Sequence, residues 1–333
     1  MPANLTPDYK AAEERFRQAT TTEEKIEALE EMLAVIPKHK GTEKLQADIK
    51  RRLSKLRQEM GAGKGGAKRA AAFRVEKEGA GQICLVGPPN AGKSSLVAAL
   101  TRAQPAIGDY PFTTHVPTPG MMPWEDIQIQ LVDLPPVTPD YLEPWLPGLL
   151  RRAEGLFLVA DLASDDLLAD TEAVVQRLEQ ARIVMVRDLP ESPEPLMTYQ
   201  RTLLVANKLD APEANERLAL LHELFPPEYH PTVAVSVHTG AGLETLRQAA
   251  WELIDRVRVY GKPAGQKPDM ERPFALPRGS TVEEFAAAVH RDLPAQLKSA
   301  RVWGPSARFP GQTVDRDHVL ADQDVVELHT GAS

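Results

Sequence analysis

Eight consecutive residues of this 333-residue chain have the types and spacing to grip phosphate. They are Gly87-Pro88-Pro89-Asn90-Ala91-Gly92-Lys93-Ser94, a match to GxxxxGK[ST]. Glycines at 87 and 92 let the backbone curl around an anion. The loop from Gly87 through Pro88, Pro89, Asn90, Ala91 and Gly92 to Lys93, Ser94 and Ser95 would line that anion with inward-pointing amides. Lys93 would place a cation on the β- and γ-phosphates, and Ser94 would offer an oxygen to Mg²⁺. The context is the required one: apolar Ile83–Val86 reads as a strand ending at the loop, and Leu96–Leu100 as part of the helix after it.

A second set of residues selects the base. Leu203–Ala206 reads as a strand, and Asn207-Lys208-Leu209-Asp210 follows it. The Asp210 carboxylate can accept hydrogen bonds from guanine N1 and the exocyclic amine, whereas adenine offers the wrong donor pattern. Asn207 can brace base and loop, and the Lys208 stem can cover the base. Ser236-Val237-His238-Thr239-Gly240 lies between a strand and a helix, where a backbone amide would read guanine O6. His238 reads as exposed loop polarity and is given no catalytic part.

Between these elements lie two segments that could complete a Mg²⁺ site. Tyr110-Pro111-Phe112-Thr113-Thr114 supplies two hydroxyls, with Thr114 the first choice as metal ligand and Thr113 the backup. Asp133 ends the apolar run Ile127–Val132 and would hold a Mg²⁺-bound water. The usual element is DxxG, but Asp133-Leu134-Pro135 is followed by Pro136, which has no amide hydrogen. Losing an amide contact to the γ-phosphate costs about 1–3 kcal/mol of loop closure. Val137 cannot orient water through a polar group, and Asp140 is only a weak candidate base. The residues therefore predict guanine-nucleotide binding with Mg²⁺, with Lys93, Thr114 and Asp133 as the catalytic set and slow hydrolysis. Two other readings stand beside this one: a nucleotide-dependent binding module with negligible hydrolysis, motivated by Pro136, and a structural RNA-binding protein with a decayed site.

The elements that must position these residues alternate. Strands are expected at Ile83–Val86, Ile127–Val132, Gly155–Ala160, Ile183–Val186, Leu203–Ala206 and Val233–Val235, with helices near 140–153, 169–179, 213–224 and 242–258. That rhythm predicts an α/β sheet covered by helices. Residues 1–20 are weakly patterned. Thr21 and Glu24 form a possible capping box before the helical spacing Ile26, Leu29, Leu33, Ile36. A second helix is expected after Thr42, with Leu45, Ile49, Leu53, Leu56 and Met60 on one stripe, giving a helical hairpin whose charged side faces water or contacts RNA. The expected organisation is a helical region over 1–62, a basic glycine-rich linker over 63–80, a P-loop domain over 81–257, a linker over 258–270 and a small α+β domain over 271–331. In the last, Thr281–Glu284 starts a helix, and strands fall at Pro273–Leu276, Ser299–Trp303 and Val325–Leu328.

Composition narrows the class. The chain is 42% hydrophobic and 26% charged, which excludes wholesale disorder and a membrane bundle. Its lone cysteine, Cys84, and a start without an apolar leader point to a cytoplasmic protein. A net charge of −8 argues against a globally basic surface, yet residues 37–69 hold eleven Lys or Arg against three acids. That region could touch a phosphate backbone.

The ordered set GPPNAGKSSL at 87–96, YPFTT at 110–114, NKLD at 207–210 and the C-terminal pattern resembles the Obg-related GTPases, most closely the developmentally regulated GTP-binding protein (DRG) branch. The C-terminal stretches include Lys262-Pro263, Leu276-Pro277, Val302-Trp303-Gly304 and Asp322–Val326, and they look like a TGS domain, a small ubiquitin-like fold used for protein or RNA contacts. The resemblance covers nearly the whole chain. It implies a ribosome-associated factor in translation or ribosome assembly, with ribosome or ribosomal RNA as partner, a protein partner through the TGS domain and no membrane partner. It also implies K⁺ as a second catalytic cation held by Asn90, with YPFTT as switch I and Asp133 opening switch II. Pro136 departs from the family's DxPG. The 187–202 stretch is too short for the extra small domain of eukaryotic members.

Overall fold

The computed structural model describes residues 7–18, 22–36, 45–46, 49–53, 56, 75–101 and 116–330. The expected switch I (110–114, with Thr113 and Thr114), the basic stretch 61–70, Thr21, Thr42 and Met60 lie outside the described residues. Residues 1–74 form one compact unit and 75–333 another.

In the first unit, α1 spans Pro7–Gln18 and α2 Thr22–Val35. Ile26 and Leu29 of α2, with Ile36 just after it, pack with Tyr9 and Ala12 of α1. Residues 45–46, 49–53 and 56 are helical, and Ile49 and Leu53 join the same core. Helix α1 is an addition to the sequence reading. Its apolar positions, Tyr9, Ala12 and Phe16, are too widely diluted by charge to show a run.

The second unit opens with a seven-stranded sheet. Its strands are β1 (Gln82–Val86), β2 (Thr118–Trp124), β3 (Ile127–Asp133), β4 (Gly155–Asp161), β5 (Ile183–Val186), β6 (Thr198–Asn207) and β7 (Thr232–Ala234). The order is β2-β3-β1-β4-β6-β5, with β7 also pairing β6. All pairs are parallel except β2 with β3. Every residue of β1 is buried, as a strand covered on both faces must be. Cys84 and Val86 face a core closed by α4 (Leu146–Leu150), α5 (Leu167–Gln180) and α6 (Ala214–Leu224). Ile83 and Leu85 face the opposite core with α3 (Lys93–Leu100) and α7 (Leu243–Ile254). Between β3 and β4 the sheet order reverses at β1, the place where open α/β sheets take ligands at their strand C-termini.

The second sheet runs β11-β10-β12-β8-β9, from β8 (Arg256–Gly261), β9 (Phe274–Pro277), β10 (Leu297–Trp303), β11 (Gln312–Val314) and β12 (Asp324–Thr330). Helix α8 (Val282–Val289) packs on it through Val282, Phe285 and Ala286. It starts at the expected place: Glu284 N–H donates to Thr281 Oγ1 at 3.4 Å, and Thr281 N–H donates to Glu284 Oε2 at 2.8 Å. A short helix, α9 (Leu293–Gln296), precedes β10.

Three boundaries are corrected. The expected linker 258–270 begins inside β8, a central strand that pairs parallel with β12 and antiparallel with β9. The expected helix 242–258 stops at Ile254, because Asp255 turns left-handed (φ 51°) and the chain enters β8 at once. Buried Val257 and Val259 alternate along that strand, a signal masked by the Gly, Pro and Lys that follow. The helical expectation at 140–153 shrinks to Leu146–Leu150, preceded by a Thr138–Tyr141 bridge.

Candidate nucleotide site

Four strand ends meet at one edge of the first sheet. The loop after β1 carries a left-handed Asn90 (φ 62°) and Gly92 (φ 89°). A Cβ on Gly87 would lie 2.6 Å from the Val159 carbonyl, and one on Gly92 2.3 Å from Asn207 Nδ2. Both glycines are therefore required by close approach as well as by curvature. Asn207 ends β6 and donates from Nδ2 to the Ala91 carbonyl at 2.9 Å, bracing the loop across the sheet.

Lys93 opens α3 and is buried, its Nζ donating to the Gly87 and Pro88 carbonyls at 3.1 and 2.9 Å. Burial lowers its pKa to about 8, and Asp133 opposes that shift. Ser94 Oγ donates to Asp133 Oδ2 at 2.5 Å. Asp133 is buried, and burial raises its pKa against the lowering effects of Ser94 and Lys93. Its Oδ1 has no hydrogen-bond partner among the described residues. One hydroxyl, one buried carboxylate with a lone oxygen and an adjacent ammonium form a donor set suited to a hard divalent cation beside phosphate. The loop cradle, with two positions that no side chain can fill, fits the phosphates.

After Asp133 the chain runs through Leu134 and Val137, both buried in the core, and Val137 N–H donates to the Gly87 carbonyl at 3.1 Å. Val137 thus anchors the segment after Asp133 to the phosphate loop and presents no polar side chain. Pro136, half-buried, stands one residue before that anchor.

The residues expected to read the base also converge. Ser236 Oγ donates to Asp210 Oδ1 at 2.6 Å and accepts from Thr239 N–H at 3.1 Å. That hydroxyl lowers the Asp210 pKa, keeping it an acceptor. His238 is exposed, with Nδ1 3.4 Å from Asp210. Leu209 N–H reaches the Val235 carbonyl at 2.9 Å, joining the two base loops. Lys208 (φ 66°) donates from Nζ to Asp161 Oδ2 at 2.6 Å.

Family models match two parts of the chain: one described as 50S ribosome-binding GTPase over residues 82–207, and one described as TGS domain over residues 257–330. Developmentally-regulated G-protein 3 of Arabidopsis thaliana is 30% identical, covering 93% of this chain and 99% of that one. The chain belongs to the DRG family of GTP-binding proteins. A GTP-binding protein of Methanocaldococcus jannaschii is 28% identical over 92% of each chain. Among solved structures, the G domain of the T. maritima FeoB iron transporter is 25% identical over 52% of this chain and 97% of that one, with a TM-score of 0.37.

This DRG-family chain is thus a GTP-binding protein with a P-loop α/β domain and a C-terminal TGS domain. The structure brings Lys93, Ser94 and Asp133 together, sets Asn207 against the phosphate loop, and gathers Asp210, Ser236, Val237 and His238 at one end of the sheet. Asn90 is exposed on the loop, beside exposed Pro89. Asp161 escaped the sequence reading. Its signal was available: a lone acid ending a buried strand, paired in register with Asn207.

Proposed function

We propose that this protein is a slow, Mg²⁺-dependent GTPase that works as a cytoplasmic, ribosome-associated factor in translation or ribosome assembly. The observation that carries the enzymatic part is the Ser94–Asp133 hydrogen bond beside buried Lys93, which brings a helix start and a strand end together. In this reading Ser94 and Asp133 would hold Mg²⁺ with Thr114, and Asn90 would hold K⁺. Mg²⁺ there would offset the charge that develops on the phosphate oxygens. Lys93 exchanges the Gly87 and Pro88 carbonyls for phosphate oxygens. The cradle amides of residues 87–95 orient the phosphates. Asp210, held by Ser236, selects guanine, while Asn207 and Lys208 fix the loop around it. With Val137 buried and no base positioned among the described residues, electrostatics and positioning carry the acceleration, which keeps turnover slow.

Support for a ribosomal setting comes from the description of the family model over residues 82–207, the basic 37–69 stretch and the C-terminal domain as a second contact. Phosphate release under multiple turnover tests the enzymatic part: steady release lost on Lys93→Ala supports it. Ribosome co-sedimentation in GTP and GDP tests the setting, and equally poor binding in both, at low and physiological salt, refutes it.

Pro136 favours a second reading, a GTP-gated binder with negligible hydrolysis, since the switch lacks the amide that would sense the γ-phosphate. Tight binding without release in Mg²⁺ with K⁺ or Na⁺ distinguishes it.

A further inference from the structure

The β2–β3 hairpin joins the nucleotide site to the C-terminal domain. At one end Thr118 pairs with Asp133, the partner of Ser94. At the other, Trp124 pairs with Ile127 around a two-residue turn, Glu125-Asp126. Such turns normally take Asn-Gly or a relative, yet Glu125 is left-handed here (φ 46°). Strain of this kind persists where the surroundings hold it. Arg258 of β8 is the holder. Its side chain is 5% exposed, and Nη1 donates to Asp126 Oδ1 at 3.0 Å and to Glu125. Nε and Nη2 take Asp322 of the C-terminal domain at 3.1 and 2.7 Å. Tyr260 Oη donates to Asp126 from the same strand, and the Trp251 ring lies 5.5 Å from the guanidinium.

The joint between the domains is short and braced by ion pairs. Only Asp255 separates α7 from β8, and its carboxylate is held by Arg201 and Arg278, both at 2.8 Å. From α7, Arg247 donates to the Leu100 carbonyl at 2.9 Å and the Pro123 carbonyl at 3.2 Å, tying the end of the phosphate-loop helix to the hairpin. The C-terminal domain, the hairpin and the nucleotide loop are one connected set of hydrogen bonds.

We propose that Arg258 is a positioning residue for the nucleotide site: it fixes the hairpin that presents Asp133, so Mg²⁺-dependent GTP affinity depends on a residue of the C-terminal domain. The proposal rests on Ser94 and Asp133 being the Mg²⁺-binding pair. By linkage, a partner that loosens the clamp by engaging the C-terminal domain changes GTP affinity, and GTP changes that partner's affinity by the same factor.

Two variants of the full chain test it. Arg258→Met removes the clamp from one side. Glu125→Gln with Asp126→Asn weakens it from the exposed hairpin tip and leaves the Arg258–Asp322 pair intact, so it decides the matter if the first fails to fold. Affinity for a non-hydrolysable GTP analogue in Mg²⁺ should fall about tenfold in both. GDP affinity in EDTA should change by less than about twofold, the margin expected of a site whose phosphate loop is untouched. Parent-like GTP affinity in a folded variant, or an equal loss in EDTA that marks general loosening, overturns the proposal. A parent chain that binds the analogue no better in Mg²⁺ than in EDTA overturns the assignment of Ser94 and Asp133, and the proposal with it.

Discussion

Gly92→Ala probes the tightest point of the site. Gly92 is left-handed, and a Cβ there would lie 2.3 Å from Asn207 Nδ2. An L-residue in that conformation costs about 1–2 kcal/mol. The Asn207 amide must also retreat, breaking its bond to the Ala91 carbonyl and leaving a buried acceptor unpaired, about 1–3 kcal/mol more. The total is about 2–5 kcal/mol. The loop relieves this strain by leaving its nucleotide-ready shape, and binding must restore it. Guanine-nucleotide affinity should therefore fall about 30-fold or more. Asn207→Ala loses the same hydrogen bond without the strain. In the double variant that bond is lost only once, so its cost should fall short of the summed single costs by about 1–3 kcal/mol. Fluorescent-nucleotide titration of the parent and three variants closes the cycle. Additivity within about 0.5 kcal/mol would refute the claim that Asn207 and Gly92 act as one unit.

Other outcomes follow from the same geometry. Burial lowers Lys93 to about 8, and bound phosphate would hold its ammonium charged, so binding takes up a proton once the free site has lost one. Affinity should thus fall as pH rises past that value, by about fourfold from pH 7 to 8.5, and Lys93→Arg should flatten the profile in a titration series. Asp210→Asn swaps an acceptor for a donor and should weaken GDP binding about a hundredfold while favouring a xanthine nucleotide, read by competition. Pro136→Gly supplies an amide to the segment proposed as switch II and should raise the GTP-over-GDP affinity ratio at least about fivefold, read with a non-hydrolysable analogue. Asp161→Ala frees Lys208 and should weaken GDP binding a few-fold without lowering the melting temperature by more than about 4 °C.

Those parts of the site that are local in sequence were legible. Gly87–Ser94 fixes its own geometry within one turn and one helix start, and Asn207–Asp210 follows directly from an apolar strand. What the sequence hides are joins between distant residues: Asn207 against Gly92 and Ala91, Lys208 on Asp161, Val137 on Gly87. These depend on strand order, which no local pattern encodes. The fold was obscured where composition and environment disagree. Strand β2 contains Pro119, Gly120 and Pro123, residues that argue against a strand, but it lies at the sheet edge where proline is tolerated. Its glycine is needed because a Cβ at 120 would lie 2.8 Å from Thr101 Oγ1. Strand β8 went unread because it begins one residue after a helix and ends in a Gly-Lys-Pro run.

The most direct test of a ribosome-linked GTPase is multiple-turnover phosphate release by the purified chain in Mg²⁺ and K⁺, with and without ribosomes. Slow release that rises with ribosomes and disappears in Lys93→Ala is the predicted result. Tight guanine-nucleotide binding with no release in either condition would contradict the account and leave a nucleotide-gated binder in its place.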